Sequence, residues 1–338
     1  MRFSARRGAA LLSVGVLLVS VACQRDGGGG GGGDSDVSIG VIIKGLDNPF
    51  FGAMRDGIEA KAEELGVDVD IQAAAGIQDT AGQVSRLEAM AGRGFDCFVV
   101  NPITQTNLVQ PLVQINRQGT PIVNIDSPIG EDAAQQAGLE IATYIGTDNV
   151  QAGQQGAEEM KEATDGGEVA MIGGVSGDAT SAARLDGFTE TAGPELQIVQ
   201  TAAADWDRER ALTVSADILR SRPNLKGFFA ANDVMALGIV QALNNANRDD
   251  VSVIGVDGIE DALNSVKAGD MHATVSQYPY TIGEMGVEAC VAAAGDEDLP
   301  ENVDAPVQVV TSENVDQALE RFPQPVEDYE DPFAELVE

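Results

Sequence analysis

Amides, carboxylates, one guanidinium and several aromatic rings recur at one kind of position in this chain, just past the ends of short apolar runs. Asn48 with Phe50 and Phe51, Asn101, Asp126 with Ser127, Arg184, Trp206, Asn232, Asp257 and Gln277 all sit there. Such a set suits a neutral polyhydroxyl molecule. Each hydroxyl donates to a carboxylate and accepts from an amide or from Arg184, while the C–H faces of a ring rest on Phe and Trp. An anionic ligand would call for more cations than Arg184. Each residue also has a plainer role. Asn or Asp after a strand commonly caps the next helix, Phe50 and Phe51 can be the buried start of a helix, and Trp206 can belong to a core. Recurrence at nearly every strand end, in both halves, exceeds what capping alone predicts.

The elements that must hold these residues alternate. Val37 to Ile43 reads as a buried strand, followed by an amphipathic helix through Met54, Ile58, Ala62 and Leu65. Strands follow over 67–73, 95–100, 121–125 and 139–145, with helices over 79–92 and 104–118. A second set starts at Asn149. It comprises a helix to Ala163 and strands over 168–173, 196–203, 226–230, 251–256 and 271–277, with helices from Ala182, Asp207, Asn232 and Ile259 between them. Alternation at this spacing implies an α/β fold with parallel, doubly wound sheets, and two such sets imply two lobes. In open sheets of this kind ligands bind beyond the carboxyl ends of the strands. The residues named above lie there.

With 338 residues the chain has room for two domains, each with its own core. It carries 20 Lys and Arg against 54 Asp and Glu, a net charge of −34. That excludes nucleic acid as a partner, because a phosphate backbone must meet a basic footprint. Acidic residues spread over the helix faces fit a halophilic surface, whose self-repulsion salt screens. A single histidine, His272, rules out a multi-histidine metal site, and no cysteine cluster has zinc spacing. His272, inside an expected strand, reads as structural. The glycine-rich Gly173 to Gly177 lacks both the full dinucleotide fingerprint and a P-loop lysine. No cofactor is implied and no catalytic group stands out, so an enzyme is not the reading.

The first residues do not belong to the fold. Arg2, Arg6 and Arg7 precede an apolar run from Ala9 to Val21 that suits a secretory h-region and is too short for a comfortable bilayer span. It ends in Ser20-Val21-Ala22-Cys23, which resembles a bacterial lipoprotein signal with Cys23 as the lipidated residue, although Ser20 stands where leucine is usual. Residues 24–36, with unbroken Gly27 to Gly33, are a flexible tether. The remaining cysteines, Cys97 in a strand and Cys290 in a late helix, are expected to be two small buried thiols.

Nine segments carry a resemblance to a known family. They are Asn48-Pro49-Phe50-Phe51, Val100-Asn101-Pro102, Asn124-Ile125-Asp126, Thr147-Asp148-Asn149, Thr180 to Arg184, Ala204 to Arg208, Asn232 to Gly238, Gly255 to Gly258 and Ala273 to Gln277. In this order and spacing, from about Val37 to about Thr311, the chain resembles the ribose-type periplasmic sugar-binding proteins of ABC importers. The resemblance implies the type I periplasmic binding protein fold, two Rossmann-like lobes joined by a three-segment hinge near Gly146-Thr147, Gln277-Tyr278 and 302–306. The implied division is a signal over 1–23, a tether over 24–36, an N-terminal lobe over 37–146 plus 278–304, a C-terminal lobe over 147–277 plus 305–315, and an acidic tail over 316–338.

The resemblance further implies that Phe51 and Trp206 sandwich a sugar ring, with Phe50 beside it. Asn48, Asn101 and Asp126 bind hydroxyls from the first lobe, and Arg184, Asn232, Asp257 and Gln277 from the second lobe and hinge. Ser127 stands where ribose binders carry arginine, and losing that fork of donors points beyond ribose to another sugar, a deoxy sugar or a polyol. The implied action is capture by hinge closure and delivery to an ABC importer permease, by a monomer held at the periplasm or cell surface through Cys23. Lipoprotein binders of nucleosides or signalling furanones, and chemoreceptor ligand-presenting proteins, share the fold and remain the alternatives. A sugar-responsive repressor would need a basic helix-turn-helix where this chain has its signal and tether.

Overall fold

The computed structural model describes residues 37–337, so the signal, Cys23 and the tether lie outside the described residues. The first set of elements is β1 (Ser38–Ile43), α1 (Pro49–Leu65), β2 (Asp68–Ala73), α2 (Thr80–Met90), β3 (Cys97–Val100), α3 (Val109–Asn116), β4 (Ile122–Ile125), α4 (Glu131–Ala137) and β5 (Thr143–Gly146). The second is α5 (Asn149–Thr164), β6 (Gly167–Gly173), α6 (Ala179–Ala192), β7 (Leu196–Ala203), α7 (Arg208–Ser221), β8 (Gly227–Ala230), α8 (Asp233–Ala246), β9 (Ser252–Asp257), α9 (Glu260–Ala268) and β10 (Ala273–Gln277). The chain ends with α10 (Pro279–Ala294), β11 (Asn302–Asp304), β12 (Val307–Thr311), α11 (Val315–Arg321) and a 3-10 turn at Ala334–Leu336.

Two sheets result, ordered β11-β5-β4-β3-β1-β2 and β12-β10-β9-β8-β6-β7. All pairings are parallel except β10 with β12. The central strands β1, β3, β4, β8 and β9 are buried along almost their whole length. Parallel strands covered by helices on both faces must be apolar throughout, and this is why they were legible as unbroken apolar runs. Side-chain caps start the helices: Asp79, Asp148, Asp178, Asp207 and Asn232 each accept from a backbone N–H of the first turn.

The chain passes from the first sheet to the second after β5, returns after β10, and crosses again between β11 and β12. Helix α10 closes the first lobe, packing on β3, β4 and β5 and along α1. The helices meet at glycines: a Cβ on Gly57 would lie 2.0 Å from the Tyr280 carbonyl oxygen, and one on Gly283 2.4 Å from that of Met54. Only glycine allows this approach.

Four expectations are corrected. Cys97 and Cys290 are joined in a disulfide, with their Cα atoms 5.6 Å apart. The expectation of free thiols treated strand and helix separately, whereas α10 returns to lie on β3. Residues 316–338 are not merely an acidic tail, because they hold most of α11 and the fully buried Phe333. The helix expected over 104–118 begins only at Val109. Thr104 and Asn107 instead bond each other's backbone N–H groups with their side chains, a local turn that competes with the helix. Residues 131–137, for which no element was expected, form α4, a short helix whose core side is only the half-buried Ala133, Ala134 and Ala137, too weak an apolar stripe to read.

Candidate functional site

The carboxyl ends of the two sheets face a shared cavity of about 510 Å³. From the first lobe its wall includes Lys44, Asn48, Phe50, Phe51, Asp126 and Ser127, and from the second Arg184, Trp206, Asn232 and Asp257. Phe50 and Phe51 satisfy both readings offered for them. They are almost fully buried in the first-lobe core at the start of α1, and they also line the cavity, edge to face at 5.2 Å. Asn48 and Asn232 likewise do two jobs. Each uses its side-chain oxygen to cap the following helix, accepting from Phe50 N–H and Met235 N–H at 3.0 Å, and each lies on the cavity wall.

Trp206 stands opposite, on the loop from β7 to α7. It and Asp205 have positive φ, 63° and 54°, a conformation that non-glycine residues adopt rarely. The indole lies over Gly174, where a Cβ would come within 2.1 Å of it. A bare backbone at the end of β6 therefore seats the ring. Gln78, from the first lobe, donates to the Asp205 carbonyl at 3.5 Å across the cavity mouth.

The polar groups pair within each lobe. In the second, the Arg184 guanidinium donates to Asn149 Oδ1 at 2.8 Å, the Ala231 carbonyl at 2.6 Å and Asp257 Oδ1 at 3.3 Å. Gln277 donates to the same carboxylate oxygen at 2.7 Å. Burial pushes the Asp257 carboxyl up to about 8, against the pull of Arg184 and with a push from neighbouring Asp233 and Asp126. Asp233, beneath it, is raised to about 6 by burial, although it accepts from Thr274 and from the N–H groups of Gly258 and Ile259.

In the first lobe, Asp126 has φ of 60° and its carbonyl accepts from Tyr144 Oη at 2.7 Å. Its carboxylate accepts from Ser127 Oγ at 3.0 Å and lies 3.6 Å from Lys44 Nζ. Lys44 also donates to Ser127 Oγ at 2.5 Å and sits 5.3 Å from the centre of the Phe51 ring. Sequence reasoning passed over Lys44. It saw the donors lost at Ser127 and did not see that the end of β1 delivers a cation to the same spot. Its charge next to Asp126 leaves this lobe's wall close to neutral.

Two expected residues are not on this wall. Asn101 is fully buried behind it, its amide N–H against Met54 Sδ at 3.5 Å and its Oδ1 without a hydrogen-bond partner. Gln277 lines a second cavity of about 600 Å³ beside the hinge, which shares Phe50 and Asp257 with the first, and its Oε1 is also unpartnered. His272 lies away from both cavities, bonded to Glu159 at 2.8 Å. Gln78, Thr104 and Gln105 line the mouth and were not anticipated. They lie past strand ends on loops, where polar residues carry no distinguishing signal.

Residues 39–298 match the family model described as a periplasmic binding protein domain. The D-allose-binding periplasmic protein of Escherichia coli is 39% identical over 258 residues, covering 75% of this chain and 83% of that protein. A ribose import binding protein of Bacillus subtilis is 34% identical over 277 residues, covering 82% and 88%. Among solved structures, an ABC transporter periplasmic solute-binding protein from Actinobacillus succinogenes with bound D-allose superposes with a TM-score of 0.79. It is 31% identical, with 83% of this chain and 99% of that one covered. One from Bacillus halodurans with bound myo-inositol has a TM-score of 0.76 at 28% identity, covering 86% and 99%.

Proposed function

The chain belongs to the periplasmic binding protein family, and from that premise we propose that it captures a neutral sugar or polyol between its lobes by hinge closure and delivers it to an ABC importer. The carrying observation is that Phe51 and Trp206, from opposite lobes, face one cavity whose wall also carries amides, carboxylates, hydroxyls and paired cations. Rings on two sides suit the C–H faces of a pyranose or cyclitol. Lys44 beside Asp126 in one lobe, and Arg184 beside the buried Asp257 and Asp233 carboxyls in the other, leave each wall close to neutral, which suits a guest that brings no charge. The unpartnered, buried Gln277 Oε1 on the cavity beside the hinge is a polar atom of the kind that a hydroxyl donor satisfies.

Binding involves Asn48, Phe50, Phe51, Asp126, Ser127 and Lys44 from one lobe and Arg184, Trp206, Asn232 and Asp257 from the other, with Gln277 engaged from the hinge and Asn101 supporting the wall from behind. Each lobe alone offers only part of the contacts, so ligand shifts the population toward the closed form. Lys44 beside Ser127 favours a hexose or polyol over ribose, because a single flexible ammonium replaces a planar fork. The lipoprotein-like Ser20-Val21-Ala22-Cys23 supports a lipid anchor on Cys23. Calorimetric titration of the mature protein with D-allose, D-ribose, myo-inositol, xylitol and a nucleoside tests the reading. Binding of a hexose or polyol without turnover is expected, and binding of the nucleoside alone would overturn it.

A further inference from the structure

The last residues of the chain do something that the three hinge segments do not. Val326 is buried in the core of the second lobe, with Val310, Val315 and Ala318 of β12 and α11. Phe333, fully buried, is part of the core of the first lobe, and Tyr329 and Leu336 pack beside it. One short segment is thus plugged into both hydrophobic interiors. It is also tied to each by polar contacts. On the second-lobe side, Arg321 donates to the Val326 carbonyl at 2.9 Å, and Gln308 of β12 donates to Glu327 at 3.2 Å. On the first-lobe side, Gln324 meets Thr281 and Glu284 of α10 at 3.5 and 3.4 Å. The segment lies beyond the residues 39–298 that the family model matches.

We propose that this segment, residues 322–337, is a clasp that ties the two lobes together outside the hinge and limits how far the cleft opens. The slack is small. Between Val326 and Tyr329 there are three peptide links, which at full extension span no more than about 10 Å. Opening that separates these points further must pull Val326 or the Tyr329–Phe333 plug out of its core. Such extraction exposes apolar surface and is opposed accordingly. Three hinge strands leave rotation free, whereas a fourth tether anchored by side chains on both sides gives it a stop. Phe322 and Pro323, at the clasp's start, also wall the cavity beside the hinge, so the clasp lies next to the surface that moves.

The test separates slack from stability and needs no ligand, so it can fail while the proposal of sugar capture stands, and the reverse. About six Gly/Ser residues inserted between Asp328 and Tyr329 leave both plugs intact and add roughly 13 Å of mean reach. Fluorophores on exposed Ser85 of α2 and Glu209 of α7, placed through bioorthogonal amino acids, report the lobe separation of the ligand-free protein. The clasp requires the distance distribution of the insertion variant to broaden and shift to longer values, with its melting temperature unchanged. A chain ending at Arg321, where it folds, should show the same lengthening. An insertion variant with the native distribution overturns the proposal, whatever the truncated chain does.

Discussion

Lys44 gives the sharpest test of how the cavity recognises its guest. Replacing it with methionine keeps the length and apolar stem of the side chain and removes one charge and its donors. In the native protein the ammonium lies 3.6 Å from Asp126, donates to Ser127 and sits 5.3 Å from the Phe51 ring. A hydrogen bond from a charged donor contributes about 1.5 to 3 kcal/mol, and about 1.4 kcal/mol is tenfold in affinity. Lys44→Met should therefore weaken binding of the cognate sugar roughly tenfold to a hundredfold. The ion pair is only 13% and 12% exposed. Asp126 left without it is a partly desolvated carboxylate with no counter-ion, so melting should also drop. Calorimetry on folded variant against native protein decides. An affinity within twofold of native, with the melt lowered, would make Lys44 a structural counter-ion and refute its place in ligand recognition.

Trp206 is the sole tryptophan in the chain, so its emission should shift on sugar binding; a sugar that calorimetry shows to bind without changing the spectrum would remove the indole from the site. Trp206→Ala should cost about 1 kcal/mol or more beyond the lost burial, again read by titration. Breaking the Cys97–Cys290 bridge, which closes a sequence separation of 193 residues, by a paired Ala substitution should lower stability by about 2 to 5 kcal/mol. Denaturant unfolding with and without reductant checks it, and identical midpoints would contradict it. Burial and the neighbouring Asp331 raise the Glu288 carboxyl to about 8 despite Lys61. The folded state therefore holds more protons than the unfolded between about pH 4.5 and 8, and stability should fall as pH rises through that window. Glu288→Gln should flatten the slope in melting against pH; an unchanged slope would assign it elsewhere.

What could be read from the chain alone tracks how each feature is built. Strands buried on both faces advertise themselves as apolar runs, so the succession of strands along the chain was legible, while their order within each sheet was not. Helix α4 turns only three half-buried alanines to the core and left no readable trace. Asn48 and Asn232 were ambiguous in sequence because they are ambiguous in fact, capping and lining at once. Lys44 was invisible for a different reason. A lysine after a strand is ordinarily solvated, and only the register of β1 against β3, with β3 against β4, brings it beside Asp126. The disulfide and the clasp both depend on the chain returning to the first lobe after the second is complete. The resemblance implied the return of 278–304, but no local pattern says that it lays Cys290 on Cys97, 193 positions away. The acidic composition of 316–338 concealed Val326 and Phe333, two apolar residues with no periodicity around them.

The charge arrangement explains why an open form can exist without being a trap. Were the cleft's cations all in one lobe and its carboxylates in the other, Coulomb attraction across a partly dry gap would close it with nothing inside. Here each lobe neutralises its own wall: Lys44 answers Asp126 in the first, and Arg184 answers the buried Asp257 and Asp233 carboxyls in the second. The one direct bond across the mouth, Gln78 to the Asp205 carbonyl, is long at 3.5 Å and uncharged. Closure without a guest would bury more polar surface while supplying partners for little of it, Asn101 Oδ1 and Gln277 Oε1 among the atoms left unmet. A hydroxyl-rich molecule reverses that balance by supplying hydrogen-bond partners to the polar wall and filling the space between Phe51 and Trp206. The free energy that closes the lobes therefore comes from the guest, and a ligand can shift the equilibrium only by its differential affinity for the two forms. A clasp that limits opening raises the fraction of molecules poised for capture without favouring empty closure.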